Sequence, residues 1–278
     1  VIPNLGRREV HVGKGLRDFS IQTEVLDEKQ ETFNRIDSGI DVNQRNYKNA
    51  MHISDDCNNK GQIMLENIVA GFVSGTSMAN FCGLAAGRFR LLERMNWNVN
   101  TKGLFNAPQL RVVTGKHAHS TILKTISLLG FGIENIEWVD VDDQGRMRAD
   151  LVPELDDKTL LILQAGNVNS GAFDPFDEIC NKANKANAWV HIDGAFGLWA
   201  AATEDFKYLT KGIEKANSFA VDAHKTLNTP YDSGIIMCND SDALVSALHM
   251  EAGYIIKSNA KNSISDATAN TSNTIKIV

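Results

Sequence analysis

The residues with the most chemical potential in this chain lie between Ser218 and Gly234, in SFAVDAHKTLNTPYDSG. Ser218 to Val221 reads as a short apolar strand, and Asp222, Ala223, His224 and Lys225 carry polar groups out of it. An ammonium placed where strand ends converge on a core is costly unless it is paired or its pKa falls. A lowered pKa is what an amine needs to form a Schiff base with a carbonyl. Taken alone, Lys225 serves equally well as a surface lysine beside the turn-forming Asn228-Thr229-Pro230. Asp193 ends the apolar run Trp189 to Ile192. A carboxylate there must be partnered or desolvation raises its pKa, although a turn or N-cap aspartate is the plainer use of such a residue. Ser74-Gly75-Thr76-Ser77 precedes a helical pattern rich in small residues. Ser77 is a candidate N-cap, and the free N–H groups of a first helical turn suit a phosphate. An ordinary capped helix fits the same residues, and Gly-Lys-Ser/Thr is absent, so this is no P-loop.

Elements that position these groups alternate along the chain. Arg111 to Thr114 reads as a strand, and Ser120 to Leu129 as an amphipathic helix, with His117 and His119 in the junction. NIEWVDVDD, RADLVPEL, TLLILQAG, FDEICNKANKAN and AWVHIDGAFG follow, then the strand SGIIMCND and the helix SDALVSALHM. Near-continuous apolar strands separated by helices predict a largely parallel sheet covered on both faces. Ligands bind such sheets beyond the carboxyl ends of the strands, which puts Gly166-Asn167, Asp193 and Lys225 at one edge.

With 278 residues and 43% hydrophobic content, the chain can bury a core of one large domain, or one domain plus a fragment. The expected division is an N-terminal segment over 1–60, a main domain over 61–250, and a mobile loop with a C-terminal segment over 251–278. No apolar run approaches the roughly 20 residues of a membrane helix, and the N-terminus lacks a signal peptide's apolar middle, so the expected location is the cytoplasm. A net charge of -6 argues against nucleic acid and for a small-molecule partner. The four cysteines contain no Cys-x-x-Cys pair, which indicates neither a zinc site nor a disulfide framework.

Five segments then fall in the order of one family. His224-Lys225 after a strand with Pro230-Tyr231-Asp232-Ser233-Gly234 behind it, SGTSMAN at 74–80, Ala118-His119-Ser120, Gly166-Asn167 followed by Ala-Phe-Asp-Pro, and His191-Ile192-Asp193-Gly194-Ala195 together resemble the group II pyridoxal-phosphate (PLP) decarboxylases. The resemblance spans about Gly71 to Tyr254. It implies an α/β fold of type I, with a mostly parallel seven-stranded sheet, helices on both faces, and a small C-terminal domain missing or fragmentary in this chain. It implies that Lys225 carries PLP as a Schiff base, that Asp193 pairs with the pyridine nitrogen, and that His119 stacks on the ring with Ala195 beneath. Thr76, Ser77 and His224 would hold the phosphate, and Asp222 would belong to the cofactor site. Asn167 would contact the ring oxygen, where the family usually has threonine. Tyr254 would protonate the substrate carbanion from a mobile loop. The implied activity is decarboxylation of an L-amino acid in a homodimer, with residues 1–60 either embracing the partner subunit or poorly ordered. An aminotransferase, another PLP lyase, or a PLP-binding remnant without turnover are the alternatives. Phe196, Leu198 and Trp199 would suit an aromatic substrate or, equally, the core.

Overall fold

The computed structural model describes residues 68–249 and the strand at 274–276. Its strands are β1 (Val69–Val73), β2 (Arg111–Gly115), β3 (Ile136–Val139), β4 (Thr159–Gln164), β5 (Trp189–Asp193), β6 (Ser218–Asp222), β7 (Gly234–Cys238) and β8 (Thr274–Lys276). The helices are α1 (Thr76–Arg94), α2 (Val99–Lys102), α3 (Ser120–Leu128), α4 (Phe176–Lys185), α5 (Ala223–Thr226) and α6 (Ser241–Leu248). All eight strands form one sheet in the order β3-β2-β4-β5-β6-β7-β1-β8. The neighbours from β3 to β6 pair in parallel, β7 runs antiparallel to both β6 and β1, and β8 lies parallel to β1. The seven strands between 69 and 238 are the mostly parallel sheet expected from the alternating apolar runs. RADLVPEL contributes a single 3-10 turn, Ala149–Leu151.

Period-two alternation explains why these strands are apolar throughout. Leu160 and Ile162 of β4 and Trp189 of β5 belong to the core cluster under α1, while Leu161, Leu163, Val190 and Ile192 alternate with them and are buried as well. On α1's side the core also takes in Ile122 and Ile126 of α3 and Leu244 of α6. α4 packs against β5 and buries Phe176 and Ile179. Burial pushes the thiols of Cys82, Cys180 and Cys238 up to about 12, so they behave as small apolar side chains. Cys57 lies outside the described residues. No helix among those described is long and apolar enough to cross a membrane.

The small residues of α1 have a steric purpose. A Cβ on Gly83 would stand 2.6 Å from the His191 ring, and one on Gly87 would stand 2.7 Å from Trp189 and Leu160. Alanine is the better helix former by about 1 kcal/mol. Overpacking a closed core costs about 1–3 kcal/mol, and here it outweighs propensity. Gly83→Ala is therefore expected to lower the urea midpoint of the full chain, and an unchanged or raised midpoint would show that the His191 ring can yield.

Candidate functional site

The parallel strands β4, β5 and β6 end side by side, with Gln164 in register with Asp193 and Asp193 with Ala220. Beyond their carboxyl ends lies an open cleft of about 380 Å³, lined by Thr76, Ser77, His119, Gln164, Asp193, Ala195, Phe196, Asp222, His224, Lys225 and Tyr231, among others. That volume is within the roughly 300–1,000 Å³ of small-molecule sites.

Asp222 is the hub. It is the last residue of β6 and is buried, and the single turn α5 that follows brings Lys225 back over it. Lys225 Nζ lies 2.9 Å from Asp222 Oδ2, His224 Nε2 lies 3.6 Å from the same oxygen, and the Thr76 amide donates to Asp222 Oδ1 at 2.7 Å. Trp199 Nε1 donates to the Asp222 backbone oxygen at 2.8 Å. The Lys225 ammonium also sits 4.5 Å above the Phe196 ring, a cation–π placement that fixes its direction. The His224 ring stacks on Tyr231 at 3.9 Å, and its Nδ1 accepts the Ser233 amide at 3.0 Å. Gly234 lets β7 pass this close, since a Cβ there would lie 2.5 Å from the Gly75 backbone.

This arrangement corrects the expected cap of α1. The helix starts at Thr76 with Gly75 as its N-cap and no side-chain cap bond, rather than at Ser77. Its first amide is met by the Asp222 carboxylate, 146 residues away in sequence. Asp222→Ala is expected to leave that buried amide unsatisfied and to cost about 1–3 kcal/mol of stability, read from urea unfolding. An unchanged midpoint would mean that water replaces the carboxylate.

Asp193 is buried at the end of β5. Burial pushes its carboxyl above the ordinary range, opposed by the Ala195 amide, the Asn80 side-chain amide and the charges of His119 and Lys225. Ala195 N donates to Asp193 Oδ1 at 3.3 Å. His119 caps α3, with Nδ1 accepting from the Thr121 amide at 3.3 Å and 2.9 Å from the Thr121 hydroxyl. Its ring is exposed to the cleft.

Ten residues were expected at this site, and the structure brings Thr76, Ser77, His119, Asp193, Ala195, Asp222, His224 and Lys225 to one cleft. Asn167 departs from the expectation. Its Oδ1 accepts the amides of Asn169 and Ser170, its Nδ2 donates to Gln164 Oε1 at 3.0 Å, and Gln164, Gly166 and Val168 line the cleft in its neighbourhood. An Asx turn has taken the side chain. Tyr254 and residues 1–60 lie outside the described residues. Of the proposed apolar pocket, Phe196 borders the cleft, Leu198 is core, and Trp199 is tied to Asp222. Sequence reasoning missed Gln164, although its place at the end of β4 beside Asp193 marks it. A buried hydroxyl, Thr76 Oγ1, has no hydrogen-bond partner. An orphan hydroxyl donor, an amine and buried carboxylates on one cleft are a donor set that fits a phosphorylated pyridine aldehyde.

Comparison with known proteins gives the same picture. The profile of the pyridoxal-dependent decarboxylase conserved domain matches residues 51–278. The chain is 28% identical over 198 residues to the acidic amino acid decarboxylase GADL1 of Xenopus tropicalis, covering 67% of this chain and 37% of that protein. It is 27% identical over 219 residues to the aspartate 1-decarboxylase of Aliivibrio fischeri, covering 71% and 39%. Among solved structures, Oryza sativa TDC with PLP and tryptamine matches with a TM-score of 0.63 at 22% identity, over 91% of this chain and 53% of that one. Mouse CSAD matches at 0.62 and 21% identity, over 89% and 51%. The chain thus spans under half the length of these curated relatives and about half of the solved chains. With the profile running from residue 51 to the last residue, the chain belongs to the pyridoxal-dependent decarboxylase family.

Proposed function

We propose that this chain carries the PLP site of an L-amino acid decarboxylase. The observation that carries the reading is the convergence of Lys225, Asp222 and Asp193 on one cleft that Thr76, with its orphan hydroxyl, also lines. Lys225 would hold the cofactor aldehyde, Thr76, Ser77 and His224 its phosphate, and Asp193 its ring nitrogen, with His119 and Ala195 on the two ring faces. When bound, the cofactor supplies an electron sink for the pair released at the substrate's α-carbon. The protein's own contribution is electrostatic and positional. Asp222 sets the direction of Lys225 Nζ, and the buried Asp193 carboxylate would keep a proton on the ring nitrogen. Tyr254 is proposed to return a proton to the α-carbon after carbon dioxide leaves.

The protein is further proposed to act as a cytoplasmic homodimer, which the family resemblance supports, on a free amino acid, a small-molecule partner consistent with its net charge of -6. The printed names of the sequence relatives make acidic amino acids the first to test, and Phe196 at the cleft makes aromatic ones the second. The test is carbon dioxide release from each of the twenty amino acids, with pyridoxyl-peptide mapping after borohydride reduction. A label on a lysine other than Lys225 would remove the central assignment. Because the chain covers only part of its relatives' length, a cofactor-binding chain without turnover is the second reading, shown by retained cofactor absorbance with no carbon dioxide from any substrate. Tyr254→Phe is expected to release carbon dioxide while diverting product toward aldehyde, either with ammonia and dioxygen as the two-electron acceptor or by transamination, which leaves the amino group on the cofactor. Unchanged amine at an unchanged rate would leave Tyr254 outside the chemistry.

A further inference from the structure

Between Asp193 and the centre of the sheet runs a line of polar side chains that the site described above does not use. Ser218, His191 and Asn80 are each fully buried, and Asp193 is 4% exposed. Trp189 Nε1 lies 3.1 Å from Ser218 Oγ, His191 Nδ1 lies 2.8 Å from the same oxygen, and His191 Nε2 lies 2.9 Å from Asn80 Oδ1. Trp189, His191 and Asp193 alternate along β5 and so share the face under α1, where Thr76, Asn80, Gly83 and Gly87 follow one another at helical spacing. The glycines make room for the two rings, and the Asn80 side chain reaches His191 Nε2 and acts on Asp193.

The protons in this line follow from its two ends, an indole that only donates and an amide oxygen that only accepts. Indole N–H only donates, so Ser218 Oγ accepts from Trp189 and has its own proton to give. Burial holds His191 down to about 3, so the ring is neutral and carries one proton. Asn80 Oδ1, which only accepts, faces His191 Nε2, so the ring's one proton sits on Nε2 and Nδ1 accepts from the Ser218 hydroxyl. An amide whose oxygen is committed to His191 must turn its nitrogen the other way. Asn80 Nδ2 is buried and has no partner at hydrogen-bond geometry, and the Asn80 amide is among the groups that favour the charged form of Asp193.

We propose that Asn80 is a positioning residue for Asp193, with Ser218 and His191 fixing the orientation of its amide so that the NH2 group faces the Asp193 carboxylate. With the amide reversed, a carbonyl oxygen would face the carboxylate and favour its protonation, and Asp193 could no longer hold a proton on a bound ring. The proposal rests on the reading of Asp193 as the partner of the cofactor nitrogen, but the orientation of the relay does not.

Two measurements separate these. In the full chain without cofactor, labelled with 15N-histidine, His191 is expected as the Nε2–H tautomer at neutral pH. The Nδ1–H tautomer would overturn the proposal, because Nε2 would then accept from the Asn80 nitrogen. In the full chain loaded with 15N-labelled pyridoxal phosphate, Asn80→Leu is expected to shift the ring-nitrogen resonance toward the unprotonated position and to lower kcat with little change in KM. Asn80→Ser is the substitute if the leucine variant does not fold. A fully loaded variant with the wild-type nitrogen resonance would overturn the proposal. Failure of the unsubstituted chain to bind pyridoxal phosphate would instead remove the cofactor reading, and the tautomer would still decide the relay.

Discussion

Lys225→Ala is expected to lose turnover by on the order of a thousandfold or more, about 4 kcal/mol of barrier, and to lose the borohydride-fixable bond to the cofactor entirely. Alanine removes two things at once, the amine and the partner of Asp222. Lys225→Arg separates them. A guanidinium keeps a cation beside the Asp222 carboxylate but cannot condense with an aldehyde. The arginine variant is therefore expected to keep the urea midpoint of the unsubstituted chain and still to lose turnover as the alanine variant does. Carbon dioxide release and unfolding measured on the same preparations decide the matter. Arginine activity near that of the unsubstituted chain would take Lys225 out of the chemistry and leave it as an ion-pair residue at the end of a strand.

Asp193→Asn is expected to keep the cofactor bound while lowering kcat on the order of a hundredfold to a thousandfold, the usual cost of removing one preorganised electrostatic partner. The amide is nearly isosteric, so the packing at the end of β5 survives. What changes is charge. A buried carboxylate can pair with a protonated ring nitrogen, whereas a neutral amide offers no counter-charge. The absorbance of the bound cofactor provides a check independent of rate. A variant with both spectrum and kcat unchanged would remove Asp193 from the mechanism.

The sheet was legible in the sequence because strands buried on both faces read as unbroken apolar runs. Thr159–Gln164 and Trp189–Asp193 are such runs, and the rule that ligands sit beyond strand carboxyl ends carried Asp193 and Lys225 to one edge. The misplaced cap of α1 failed for a physical reason. Local reading looks for a capping side chain within a few residues, and the Asp222 carboxylate arrives from 146 residues away. At Asn167 the local signal is the stronger one, since a short-range Asx turn to Asn169 and Ser170 holds the side chain. The buried relay left a trace that reading for surface and core passes over. A histidine inside the apolar strand WVHID, facing a helix whose residues at 80, 83 and 87 are Asn, Gly and Gly, marks a polar side chain for which space was kept.

The pairing of β1 with β7 sets an order of assembly. Val69 lies opposite Cys238, 169 residues later, so β1 has no strand to join until β7 exists. Strands β2 to β6 pair with partners nearer in the chain and can close smaller loops first. Loops this long slow folding because closure entropy is lost before contacts compensate it. During synthesis at roughly 5–20 residues per second, Thr76 and Ser77 are made on the order of ten seconds or more before the lysine they are to face. Asp193 and Lys225 can share a sheet edge early, whereas the side of the cleft lined by Thr76 and Ser77 closes only once β1 and α1 are in place. With Thr76 and Ser77 in the proposed cofactor site, the uptake rate of a refolding chain is expected to track the docking of β1 rather than the formation of the parallel core.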